Sequence, residues 1–190
     1  MGNVSKRSLG VLALTGAAIW LMTGSLGGER GTRALLNPAF ILLLGGALGV
    51  WRLVRPDGGW RAWGVGFVVA GLLADLAGNW LEYGPFPSLS LPGWGIFLLG
   101  WLAVGPLGAI LISFAEVRRP KLPGVARVGL LLLAVLPFVT LGAGVIIGGD
   151  GGPGIGIGGL MFGIGWALVG ISLAGRPSAG LPASDPTAAR

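Results

Sequence analysis

The chain has 190 residues, 53% hydrophobic and only 11% charged, with a mean hydropathy of +0.84 and a formal charge of +6. Soluble domains carry about 25% charged residues, so this composition excludes a water-soluble globular protein and predicts an integral membrane protein. Cysteine and histidine are both absent, which excludes disulfides, thiolate or imidazole metal sites, His-ligated haem and the usual general base.

Crossing the hydrocarbon layer takes about 20 apolar residues. Six segments qualify: 9–26, 38–54, 62–81, 94–114, 125–147 and 155–174. The first follows Lys6 and Arg7 and invites a signal-peptide reading. Its apolar run exceeds the usual h-region of about 7–15 residues, and no A-x-A site follows, Thr23-Gly24-Ser25 being a poor substitute. It is expected to be retained. The second opens with Asn37-Pro38, an N-cap followed by proline at the first helical position, and Pro92, Pro123 and Pro153 precede later spans in the same way. Short connections make neighbouring spans antiparallel hairpins. The fold class is therefore all-α: a polytopic membrane protein of six transmembrane helices, N-in and C-in. Its parts are a cytoplasmic N-terminus (1–8), a transmembrane domain (9–174) and a cytoplasmic tail (175–190) whose Pro, Ala and Ser content predicts disorder.

Charge sets the direction. With the N-terminus inside, every basic residue except Arg30 and Arg33 falls on the inner side: Lys6, Arg7, Arg52, Arg55, Arg61, Arg118, Arg119, Lys121, Arg127, Arg176 and Arg190. Enrichment of Lys and Arg on the cytoplasmic side orients membrane proteins, so the positive charge needs no nucleic acid to explain it. Trp51, Trp60 and Trp63 mark the inner interface, and Trp80, Tyr83 and Trp94 the outer one. The expected location is the inner, cytoplasmic membrane. The expected partners are the lipid bilayer together with a membrane-protein partner or a second copy of the chain.

Helices in lipid associate by close backbone approach and hydrogen bonds rather than by the hydrophobic effect. The third span carries Gly66, Ala70, Ala74 and Gly78 at four-residue spacing, which predicts a central position for it. Gly45 and Gly49 in the second span, and Gly159, Gly163 and Ala167 in the sixth, follow the same pattern. Pro106 and Pro137 fall inside the fourth and fifth spans and are expected to kink them.

The stretch VVAGLLADLAGNWLEYG (68–84) holds the candidate functional residues. Asp75, Asn79 and Glu82 share an arc of about 60° on a helix and form one polar stripe. Asp75 lies about 20 Å from the inner edge of the span and about 9 Å from the outer one. Placing aspartate at a bilayer centre costs about 2.5–3.5 kcal/mol, and hydrocarbon surroundings disfavour the charged form. Trp101 and Thr140 share its layer and Thr23 lies slightly further out; these are its candidate partners. Glu82 and Glu29 are candidate partners for Arg30 and Arg33.

Other motifs fail on chemistry. The glycine run 148–159 lacks the preceding strand and the lysine of a phosphate loop. Serine proteolysis lacks a histidine, an aspartyl mechanism lacks a second facing carboxylate, and retinal attachment lacks an intramembrane lysine. No catalytic, cofactor-binding or metal-binding residue is expected, and no enzyme activity. AEVRRPKLPGVARVGLLLL (115–133) resembles the basic hairpin between the fourth and fifth spans of many small, uncharacterised bacterial membrane proteins, and LAGNWLEY (76–83) is similar to the outer end of a span in some of them. The resemblance implies no activity. Two roles remain: a structural or partner subunit whose polar stripe fixes helix packing, and a small proton- or cation-linked transporter using Asp75.

Overall fold

A computed structural model describes residues 5–25, 35–54, 59–83, 93–147 and 152–175. They form six helices: α1 (Lys6–Ser25), α2 (Leu36–Val54), α3 (Gly59–Tyr83), α4 (93–118), α5 (Gly124–Ile147) and α6 (Gly152–Ala174). The helices extend as far as the apolar runs do, and proline sits where a helix tolerates it. Pro38 and Pro153 lie in first turns and Pro123 lies one residue before α5, positions where a missing N–H breaks no helical bond. At the start of α3, Gly59 takes φ 61°, a conformation that side chains on other residues disfavour.

Five helices are long and apolar enough to cross a membrane, namely α2 to α6. The expectation of six spans thus meets a difference at α1, which forms and packs but is more polar. It opens with Lys6, Arg7 and Ser8, and Thr15 and Thr23 dilute its apolar stretch. Asn37, expected as the N-cap of α2, lies one residue inside that helix. The Arg30, Arg33 and Glu29 pairings and the tail 176–190 lie outside the described residues.

Each helix packs on the next, and α6 returns to α1, so the six close into a ring. The third span is therefore not central: α3 is one member of the ring, between α2 and α4. What occupies the middle is aromatic. The Trp20 ring of α1 lies tilted 4.7 Å from Phe162 of α6 and edge-on 5.5 Å from Phe40 of α2. Trp101 of α4 lies 6.3 Å from Trp20 and 6.0 Å from Phe97, and Trp166 closes the group against Phe162. Each such pair contributes about 0.5–1.5 kcal/mol beyond area burial. The Trp20 indole also donates a hydrogen bond to the Gly159 carbonyl at 2.8 Å, tying α1 to α6.

The seam between α3 and α4 keeps only one of the two glycines expected there, Gly78. Gly66 faces open space, while Gly64, Gly71 and Gly78 meet α4 at Gly108, Gly105 and Gly93. The reason is angular. Steps of four residues drift by about 40° each, so Gly66 ends about 180° from Asp75, whereas steps of seven drift by only about 20°. The expected series spirals around the helix; the spacing of seven stays on one face.

Candidate functional site

Asp75 faces this seam and is 2% exposed. Its neighbour across the seam is Gly100, where an added Cβ would lie 2.5 Å from Asp75 Oδ1. Gly100 begins a π-helical segment, Gly100–Val104, inserted between the α-helical parts Gly93–Leu99 and Gly105–Arg118 of α4. Its cause is in the sequence. Pro106 has no N–H and its ring crowds the carbonyl four residues back. The register widens just before it, so that the Gly105 N–H bonds to the Gly100 carbonyl, five residues back. Pro106 thus acts on α4 as a π-bulge, and the bulge places Gly100 against the carboxylate.

Beside Asp75 lies a small cavity of about 20 Å³, lined by Trp101, Leu72, Pro106, Leu136, Phe162 and Trp166 among others. About one water fills such a space. Among its lining side chains Asp75 is the one ionisable group; the others are aliphatic or aromatic. Asp75 Oδ1 and Trp101 Nε1 are both buried without a hydrogen-bond partner.

The remaining candidates separate. Asn79 leans the other way around α3 and donates from Nδ2 to the Asn37 side-chain oxygen of α2 at 2.8 Å. Asp75 and Asn79 thus face different neighbours of α3, and only Asn79 is shown bonding across. Glu82 is exposed and lies beside Gly93 at the start of α4. Thr23 bonds back to the Ile19 carbonyl at 2.6 Å and is not a partner of Asp75. Thr140 is buried against Gly158 of α6, with its hydroxyl unpartnered. Of the expected partners, the structure brings Trp101 to the cavity of Asp75, and it places Thr23 and Thr140 on other contacts.

A second polar cluster escaped the sequence reading. Arg61, at the start of α3, is 5% exposed, and Glu116, near the end of α4, is 2% exposed. They form a salt bridge at 2.8 Å between Arg61 Nε and Glu116 Oε1. The other carboxylate oxygen accepts the backbone N–H groups of Lys121 and Leu122 at 2.7 and 2.8 Å. Arg61 Nη2 donates to the carbonyls of Ala115, which also accepts the Arg119 N–H, and of Arg119, just past the end of α4. The α4–α5 turn is therefore wrapped around a buried ion pair. The sequence signal was a lone glutamate, Glu116, within the basic hairpin 115–133.

These features define an all-helical protein with the make-up of a multi-pass membrane protein. Comparison of the chain with protein-family models, curated proteins and solved structures gives no match.

Proposed function

We propose that the protein is a six-span protein of the inner membrane, with both termini cytoplasmic, and that it serves as a structural or partner subunit rather than as an enzyme. On this reading α1 is the sixth span, held in the ring by α2 and α6. The observation that carries the structural role is the enclosure of Asp75. The carboxylate is packed against Gly100 beside a cavity of about 20 Å³ with an apolar lining, which suits a group that fixes how α3 meets α4. Asn79 does the same towards α2. Partners on this reading are the bilayer and another membrane protein or a second copy of the chain.

A second reading, a proton- or cation-linked transporter, draws on one specific feature. The π segment meets the buried carboxylate of Asp75, and π-bulges recur at functional sites. Intramembrane acids also commonly mark ion pathways.

Substitution with asparagine separates the two. It keeps a side chain of similar size and hydrogen-bonding capacity but carries no titrating proton. For a structural Asp75, Asp75→Asn retains wild-type yield, thermal stability and partner association, and liposomes holding either protein show the same proton leak under a pH gradient. A wild-type proton flux that a normally folded Asp75→Asn variant abolishes overturns the structural reading in favour of transport.

A further inference from the structure

The basic end of the bundle holds a groove of about 520 Å³ between the α4–α5 turn and the last turn of α6. Lys121 and Arg127 line it from one side, and Ile171 and Ser172 from the other. Pro123, one residue before α5, and Val125 in its first turn border it, so helical N–H groups without intrahelical acceptors lie at its edge. None of its lining residues is acidic; the nearby carboxylate of Glu116 is already engaged by Arg61.

We propose that this groove binds the phosphodiester headgroup of an anionic phospholipid, with Lys121 and Arg127 facing the phosphate. The flanks suit a lipid better than a free anion. Val125 and Ile171 border the groove and are 44% and 50% exposed, and Val128, one turn further along α5, is 53% exposed. An apolar track therefore leaves the basic end and runs along the helices where an acyl chain would lie. Basic pockets between helices on the cytoplasmic side are a recurrent way of holding lipid headgroups. The proposal rests on membrane embedding with this end at a lipid interface, but not on either role of Asp75.

The test is native mass spectrometry of the full chain released from detergent, titrated with phosphatidylglycerol or phosphatidylcholine. The wild type should retain phosphatidylglycerol preferentially. Lys121→Gln and Arg127→Gln should each lower that retention about fivefold with unchanged helix content, and Arg7→Gln, at the same end but outside the groove, should leave it unchanged. Inorganic phosphate at millimolar concentration should not displace the lipid. Equal retention of the two lipids overturns the proposal, as does an Arg7→Gln effect matching that of Arg127→Gln, which would mean diffuse charge attraction. Displacement by inorganic phosphate would show a small-anion site and also overturn it. A chain that stays soluble without detergent would instead sink the membrane reading beneath it, so the two failures are distinguishable.

Discussion

Gly100 and Asp75 occupy one seam so tightly that a methyl group on residue 100 would reach to 2.5 Å of the Asp75 carboxylate oxygen. The same methyl group would come within 2.6 Å of the Gly71 carbonyl and 2.9 Å of the Asp75 nitrogen. Two of these three neighbours are backbone atoms, which cannot swing aside. The glycine is therefore a condition for the carboxylate's position.

The first prediction follows from that seam. Gly100→Ala and Gly71→Ala force α3 and α4 apart and should each destabilise the protein by about 1–3 kcal/mol. Gly66→Ala adds a methyl group where nothing lies within 4 Å and should stabilise by about 0.5–1 kcal/mol, because alanine restricts the unfolded chain. Thermal unfolding in detergent followed by circular dichroism measures all three. A loss at Gly66 as large as that at Gly100 would show that the seam is misassigned.

Arg61 and Glu116 give the second. Removing one member of a buried ion pair leaves the other charge without its counterion, at a cost of about 3–5 kcal/mol. Arg61→Ala should approach that range. Arg61→Lys should recover part of it, since lysine restores the charge but not the planar fork that reaches the Ala115 and Arg119 carbonyls. Titration with a denaturing detergent measures the series; a neutral Arg61→Ala would remove the ion pair from any role in holding the α4–α5 turn.

The third concerns Asn37 and Asn79. A double-mutant cycle with alanine at both positions should give a coupling energy of about 0.6 kcal/mol, and no more than about 1.7 kcal/mol, the range measured for hydrogen bonds between helices in membranes. Additive single-mutant effects would mean that the side chains do not bond in the membrane.

Orientation supplies the fourth. The chain has no cysteine, so single cysteines report cleanly. A cysteine replacing Leu35, exposed at the start of α2, should react with an impermeant maleimide in intact cells. One replacing Pro120, exposed in the α4–α5 turn, should react only after permeabilisation. The opposite pattern would overturn the cytoplasmic placement of the basic end.

The sequence by itself determined the helical make-up, because hydropathy over about 20 residues is a local property that needs no partner to be read. It also singled out Asp75, since a carboxylate within an apolar run stands out whatever surrounds it. Local chemistry reached as far as Pro106, whose missing N–H perturbs α4 wherever that helix packs. The tertiary structure decided which faces meet. Gly66 and Gly71 are the same residue in a similar setting, and only the angular drift of a real helix against its neighbours makes one a contact and the other open surface. Asn79 and Asp75 read as one stripe, yet the ring places α2 on one side of α3 and α4 on the other, so the stripe divides. Glu116 was hidden for the same reason: its partner Arg61 is 55 residues away in sequence, and only the packing of α3 on α4 makes the two a pair.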